Sequence, residues 1–236
     1  MGALPRIPLI EDLTTGPIAP GSFLLVEYTG ASQWYNASFS IAAGWLKTEG
    51  TVSYNSFAHS PGDIRARLNR LGVNSEQLEN ETKLRIWDEY TATLGQKSKE
   101  KYAVDSLKVS DLSILFSRDF MRRPPQPDTL VILDNASTVA RFNDEKSLVE
   151  LLLTRAVPAY RMLKSTAVVG AIRGIHSSWV YEQMEAASDG IIDFKLDETA
   201  DPPRNLMRIR SLRDVGFDGR WHQLKIGANL EVTLEK

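Results

Sequence analysis

Cysteine is absent from this chain of 236 residues, and histidine is scarce. The lack of cysteine excludes disulfide bonds, thiol catalysis and cysteine-ligated zinc sites. His59, His176 and His222 are far apart in sequence and lack the i, i+4 spacing of a helical metal-binding pair. We therefore expect no metal site.

Long apolar runs are also absent. No stretch approaches the roughly 18 consecutive apolar residues of a membrane-spanning helix. Prolines interrupt the apolar N-terminal segment, which does not read as a signal peptide either. We expect a cytoplasmic protein with no membrane partner.

Neither sign of charge is in clear excess. The chain has 28 Lys and Arg against 30 Asp and Glu, a formal net charge of -2. Such a chain is not attracted as a whole to nucleic acid, so binding to nucleic acid would need a local basic patch. A nucleic-acid partner is possible on these grounds but is not favoured.

Apolar periodicity and turn residues predict alternating strands and helices. Predicted strands lie at 22–27, 52–57, 83–87, 129–133 and 166–171, and predicted helices at 36–47, 61–71, 104–120, 146–162 and 178–187. Four strand-like runs follow, at 190–196, 205–212, 221–226 and 230–234. The pattern predicts an α/β fold with a mostly parallel central sheet flanked by helices and antiparallel strands at the C-terminal end.

The length suits one large α/β domain with a single core. We predict an N-terminal extended segment over 1–20 and one domain over 21–236. Two connections are predicted to be exposed, at 95–101 and at 121–128, and the second contains Arg122 and Arg123 beside prolines.

Five segments follow one another in an order that is typical of a known superfamily. They are 21–30 (GSFLLVEYTG), 51–72, 129–137 (TLVILDNAS), 187–194 (ASDGIIDF) and 204–226. On these segments the chain resembles the RecA superfamily, and specifically its archaeal-type, KaiC-like ATPase branch. The resemblance implies a RecA-like P-loop NTPase fold, with a phosphate-binding loop after the first strand and a Walker B acid after the strand at 129–133.

The phosphate-binding motif that this family carries is degenerate here. A P-loop needs glycines that let backbone N–H groups surround the phosphates, a lysine for their charge and a hydroxyl for magnesium. In this sequence Trp34 stands at the lysine position and Tyr35 at the hydroxyl position, and no Lys or Arg occurs between Arg6 and Lys47. The remnants of the nucleotide site are Gly30, Ser32, Trp34 and Tyr35, with Asp134 at the Walker B position.

The acid that would orient the attacking water is missing as well. The resemblance places paired glutamates after the second strand, where this chain has Ala58 and His59. An alanine cannot polarise water, and His59 is interpreted as a loop residue before a helix rather than as a base. Asp134 remains, and without a hydroxyl partner for magnesium it is interpreted as a cap or hydrogen-bond acceptor.

Two aromatic residues occupy the degenerate loop. Trp34 and Tyr35 could stack on a nucleobase or fill the space that a nucleotide leaves, and we favour filling because cavities are destabilising. Either role removes ordinary ATP binding. We therefore expect no catalytic residue and no cofactor.

An arginine-rich strand lies late in the chain. Arg208 and Arg210 alternate with Met207 and Ile209, so the arginines are predicted to point away from the core. The resemblance implies that this strand faces a neighbouring subunit, and we expect Arg208, Arg210 and Arg213 to form an interface. The competing interpretation is an exposed face paired with acids such as Asp214 and Asp218.

Three functions remain open on the sequence. The leading hypothesis is a non-catalytic, RecA-like regulatory or assembly module that pairs with itself or with another RecA-like subunit. The second is an ATP-binding protein with a non-standard phosphate site, in which case ATP and magnesium would be its cofactors. The third is a nucleic-acid-binding RecA paralogue that uses the arginine strand and the aromatic loop.

Overall fold

A computed structural model describes residues 6–120 and 126–235 of the chain. The strands are β1 (Phe23–Tyr28), β2 (Thr51–Ser56), β3 (Leu84–Asp88), β4 (Tyr102–Ala103), β5 (Thr129–Leu133), β6 (Thr166–Ile172), β7 (Gly190–Asp197), β8 (Arg204–Leu212), β9 (His222–Ile226) and β10 (Val232–Leu234). The helices are α1 (Trp34–Lys47), α2 (Pro61–Arg70), α3 (Ser75–Asn80), α4 (Tyr90–Thr93), α5 (Val109–Leu115), α6 (Glu145–Leu151), α7 (Val157–Leu163) and α8 (Ser178–Ala187).

The strands that the structure describes form one ten-stranded sheet, in the order β10-β9-β8-β7-β1-β6-β5-β2-β3-β4. From β7 to β4 every neighbouring pair is parallel, and β8, β9 and β10 are added antiparallel. The predicted fold class is therefore confirmed. In a parallel sheet of this kind the carboxyl ends of the strands lie along one edge, where ligands of such folds bind.

Helices cover both faces of the sheet. In β1, Leu24 and Val26 belong to a core cluster that includes α1 and α2, whereas Phe23 and Leu25 face a second cluster with α5 to α8. This alternation follows from the strand period of two and explains why the central strands are apolar on both faces.

Two predicted helices differ from the structure. Over 104–120 the helical part begins only at Val109, because residues 104–108 form an irregular connection from the edge strand β4. A π-helical turn (Phe116–Phe120) follows α5. The predicted helix 146–162 is divided by a π-helical turn (Leu152–Ala156) between α6 and α7. Pro158 explains this break, since it has no N–H to continue the α-helical hydrogen bonds.

The N-terminal segment also differs from the extended segment that was predicted. It contains a 3-10 helix (Glu11–Leu13), and its residues Ile7, Leu9 and Ile10 are buried in the core cluster of α1. The exposed connection predicted at 121–128 lies mostly outside the described residues, including Arg122 and Arg123. Among the helices that are described, none is both long and apolar enough to cross a membrane.

Candidate functional site

The loop between β1 and α1 retains the strand, loop and helix arrangement of a phosphate-binding loop. It begins after Tyr28 and ends at Gln33, the N-cap of α1, whose side chain makes no capping hydrogen bond. Gly30 and Ala31 are exposed at its tip. The order of elements is thus that of a P-loop, and the side chains decide what the loop can bind.

Trp34, at the lysine position, points into the core rather than into the loop. Its side chain is fully buried, and its indole Nε1–H donates to the backbone carbonyl of Asp134 at 2.7 Å. The ring centroid lies 5.5 Å from that of Phe194 and 6.1 Å from that of Tyr28. The start of α1 directs this side chain inward, so Trp34 fills space between α1 and the sheet and not the nucleotide space that the sequence interpretation assigned to it.

Tyr35, at the hydroxyl position, has its phenol group engaged by two partners. The hydroxyls of Tyr28 and Tyr35 are 2.9 Å apart, and Asn135 Nδ2 donates to the Tyr35 hydroxyl at 3.3 Å. Burial is the main cause that raises the pKa of Tyr35 above its ordinary value. The ring also packs edge-on against His59, with centroids 4.9 Å apart.

Asp134 is fully buried after β5, and the chain's own backbone occupies its carboxylate. Oδ1 accepts the N–H of Phe57 at 2.8 Å, and Oδ2 accepts the N–H of Ala58 at 3.3 Å. His59 Nδ1 lies 3.6 Å from Oδ2. The carboxylate at the predicted Walker B position fixes the turn after β2, as the hydrogen-bond-acceptor interpretation predicts.

Glu89 is an acid near this site that the sequence reasoning missed. It follows β3, is 3% exposed, and accepts the N–H of Ser56 at 2.8 Å. Burial, followed by the charge of Asp134, raises its pKa well above the ordinary value. The consecutive acids Asp88 and Glu89 at the end of an apolar strand were the available signal, since parallel strands end at one edge of the sheet.

This set of groups does not fit a magnesium nucleotide. The lysine position holds a buried indole, the hydroxyl position holds a phenol with two partners, and both oxygens of Asp134 accept backbone N–H groups. Phosphate binding by a P-loop needs a cation and a free hydroxyl at these places. Glu89 is too deeply buried to reach a substrate.

The arginines of β8 contact acids of their own chain. Arg208 Nε donates to Asp193 at 2.8 Å, and Arg210 Nη2 lies 2.6 Å from Glu27 Oε1. Met207 and Ile209 are fully buried on the opposite face, as the strand period predicts. Asp193 lies directly opposite Arg208 on the adjacent strand β7, in agreement with the predicted antiparallel C-terminal strands, whereas Glu27 lies on β1, which is far from β8 in sequence.

The remaining arginines of this region are more exposed. Arg213 donates to the carbonyl of Ala186 at the end of α8, with a distance of 3.0 Å, and its side chain is 52% exposed. Arg220 forms an ion pair with Asp218, one of the acids that the sequence suggested. Of the three predicted interface arginines, Arg213 is therefore the most accessible.

Comparisons with known proteins identify a family, and many solved structures are similar to this chain. A family model described as the KaiC ATPase matches residues 37–235. The crystal structure of KaiC-like protein PH0186, from the hyperthermophilic archaeon Pyrococcus horikoshii OT3, superimposes with a TM-score of 0.75 and 16% sequence identity, over 100% of this chain and 99% of that one. At this identity the likeness concerns the fold. No curated protein matches the sequence.

Proposed function

The chain belongs to the KaiC ATPase family, and from that membership we propose that it is a non-catalytic member that acts as a regulatory or assembly module. The observation that carries the proposal is the hydrogen bond from Trp34 Nε1 to the carbonyl of Asp134. This bond joins the lysine position of the P-loop to the Walker B position through a buried side chain. An active relative would need a cation beside a phosphate at the lysine position.

The rest of the site supports the same proposal. The carboxylate of Asp134 is held by backbone N–H groups, and the acid position after β2 is Ala58. Phosphoryl transfer depends mainly on electrostatic stabilisation of the phosphates and on positioning of the nucleophile. This chain lacks the groups for both of these tasks. Its function is therefore to bind through its surfaces, either to a second copy of itself or to another RecA-like subunit.

Turnover and ligand stabilisation test the proposal together. We expect no hydrolysis of Mg-ATP or Mg-GTP above background, and the same background from an Asp134→Asn variant. We also expect that Mg-ATP does not raise Tm. The measurement is sensitive, because a ligand that binds at a hundredfold excess over its Kd would add about 2.7 kcal/mol to the free energy of unfolding. Wild-type turnover that Asp134→Asn abolishes, or a concentration-dependent rise of Tm, would contradict the proposal.

Restoring the missing lysine is a stricter version of this test. Trp34→Lys should lower stability by about 3–5 kcal/mol, as loss of a buried large aromatic does, and should not confer ATP binding. Trp34→Phe is the matched control, because it keeps a buried ring and removes only the donor to the Asp134 carbonyl. It should lower the free energy of unfolding by about 1–3 kcal/mol. Nucleotide-dependent stabilisation of Trp34→Lys would show that the lysine alone was missing.

A second candidate function is nucleotide binding by a non-standard phosphate site. The observation in its favour is the start of α1, where no side chain caps the helix and the loop tip at Gly30 is exposed. The first N–H groups of a helix attract anions. A partner's arginine would have to supply the missing cation, and the thermal scan with Mg-ATP separates this function from the first.

A further inference from the structure

Three lysines occupy alternate positions of the connection that leads into β4. Lys97, Lys99 and Lys101 are exposed, whereas Ser98 and Glu100 between them are partly buried. Consecutive lysines of this set are at most about 7 Å apart along the backbone, since two residues cannot span more. The connection predicted to be exposed at 95–101 therefore presents one basic side, the lysine ridge (Lys97, Lys99 and Lys101).

The residues between the lysines attach the ridge to the domain. Ser98 Oγ donates to Oδ2 of Asp88, the last residue of β3, at 2.6 Å. Glu100 accepts Arg65 Nη1 at 2.9 Å and Nη2 at 2.6 Å, and its backbone N–H donates to Ser98 Oγ at 3.0 Å. These bonds fix the backbone and leave the lysine side chains outward. Such preorganisation lowers the entropic cost of binding a ligand along the ridge.

Acids of the domain do not use the cations of the ridge. Among the described residues, none forms an ion pair with Lys97, Lys99 or Lys101. Glu100, the acid within the segment 95–101, is bound to Arg65 instead. A chain with a net charge of -2 needs a local basic patch of this kind to bind nucleic acid.

A groove of about 260 Å³ adjoins the ridge at Lys101. Leu84 and Ile86 of β3 contribute apolar atoms to its lining, Tyr102 of β4 contributes an aromatic ring, and Glu100 contributes carboxylate oxygens. The Nζ of Lys101 lies 5.2 Å from the centroid of the Tyr102 ring. The volume suits one nucleobase, and an aromatic ring beside cations is the combination that binds single-stranded nucleic acid.

The groove and the ridge attract different parts of a nucleotide. Within the groove, Arg65 serves two acids: its Nε is 2.8 Å from Glu79 Oε2 and its Nη2 is 2.6 Å from Glu100 Oε2. These three groups together carry one negative charge in excess. The groove therefore repels phosphate and accepts N–H donors such as the amino group of cytosine, while the ridge attracts phosphate.

The surfaces that the sequence suggested for nucleic acid are occupied within the domain. Arg208 and Arg210 of β8 form ion pairs with the buried acids Asp193 and Glu27. Trp34 of the aromatic loop is fully buried. The lysine ridge has neither kind of internal engagement, so its charge is available to a polyanion.

We propose that the lysine ridge and the groove form a binding site for single-stranded nucleic acid. The ridge contacts successive phosphates, and the groove takes one base, which stacks on Tyr102 and donates its amino group to Glu100. A base can enter only when it is unstacked and unpaired, so the site excludes a regular duplex. An acidic peptide or an anionic membrane would match the charge of the ridge and leave the groove empty. The site does not depend on the assembly role, because β4 and β8 lie toward opposite edges of the sheet.

Fluorescence anisotropy with a labelled oligonucleotide of about 16 nucleotides tests the ridge. A variant with all three ridge lysines changed to Gln should bind more than about tenfold more weakly. The slope of log affinity against log salt concentration should also become shallower by about 2, since each phosphate contact on a single strand contributes about 0.7. The matched control should bind like wild type, and it removes the same charge at other exposed lysines: Lys146→Gln, Lys164→Gln and Lys225→Gln. Equal losses in both triple variants, or no binding at low salt, would overturn the proposal.

A comparison of oligo(dC) with oligo(dT) tests the groove. Cytosine presents an amino donor where thymine presents a carbonyl oxygen, so oligo(dC) should bind several-fold more tightly. Tyr102→Leu should weaken the binding of both, whereas Tyr102→Phe keeps the ring and should not, and an unchanged Tm verifies the fold of each variant. Equal affinity for the two oligonucleotides would overturn the assignment of the groove. Poly-glutamate or anionic vesicles that bind as tightly as oligo(dC) would overturn the assignment to nucleic acid.

Discussion

Gly170 of β6 marks the tightest packing beside the degenerate loop. A Cβ at this position would collide with the indole Nε1 of Trp34 and with the carbonyl oxygen of Asp134, which are themselves hydrogen-bonded. The indole can therefore reach that carbonyl only because residue 170 has no side chain. The replacement of the P-loop lysine by Trp34 is in this way coupled to a glycine on another strand.

Gly170→Ala should lower the free energy of unfolding by about 1–3 kcal/mol, as overpacking of a core does. Gly30→Ala is the matched control, because a Cβ there would meet nothing within 4 Å. Its effect should stay within about 0.5 kcal/mol, as for ordinary surface substitutions. Urea unfolding of both variants measures the difference, and equal effects would show that the packing around Trp34 is loose.

At the scale of secondary-structure elements, the N-terminal segment is held in place by one buried acid. The Glu11 side chain accepts the backbone N–H groups of Ile7 and Ile18, the latter at 2.6 Å. The segment also pairs with the loop after β8, where Thr15 N–H donates to the Gly216 carbonyl at 2.8 Å. The carboxylate thus holds the two halves of the segment together, and the Thr15 bond attaches the segment to the loop after β8.

Glu11→Ala should destabilise the protein by about 2–3 kcal/mol, because two backbone donors lose their acceptor in a buried place. Glu11→Gln keeps one amide oxygen as an acceptor, so its free energy of unfolding should fall by about half as much as that of Glu11→Ala. Urea unfolding gives both values, and amide exchange should show faster exchange at 6–18 in Glu11→Ala. If Glu11→Ala leaves the free energy of unfolding unchanged, water replaces the carboxylate as the acceptor and the prediction is wrong.

At the scale of the whole molecule, the predicted arginine interface is accessible mainly through Arg213. Charge reversal at Arg208 or Arg210 would leave Asp193 or Glu27 buried without its cation, which is strongly destabilising. A test of assembly therefore has to use a residue whose loss the fold tolerates. Arg213, with its side chain 52% exposed, satisfies this condition.

We expect light scattering to give a mass above that of a monomer for wild type at low salt. Arg213→Gln, which keeps a donor for the Ala186 carbonyl, should shift the protein toward monomer. Arg220→Gln is the control: it changes an arginine whose side chain is 82% exposed, and it should leave the mass unchanged. Moderate salt should weaken the association, because exposed charges are screened. A wild-type monomer at high concentration, with no partner recovered from cell extract, would contradict the assembly role.

The sequence by itself determined the fold class and the order of the elements. Strand β5 and helix α8 lie at the predicted positions, since a short apolar run between turns and an amphipathic run between caps are local signals. The loss of the P-loop lysine and of the acid after β2 is equally local, because it depends on residue identity at motif positions. Pro158, which accounts for the π-helical turn just before α7, is a local signal too, although the predicted helix 146–162 runs through it.

Only the tertiary structure decided how the side chains of the site are used. The bond from Trp34 to Asp134 and the ion pair of Arg210 with Glu27 join residues from elements that are far apart in sequence. Their partners depend on strand order and on the face of each element, and neither is set by sequence distance. The burial that raises the pKa of Glu27 is likewise a property of the packed sheet, since the same residue in an unfolded chain is solvated.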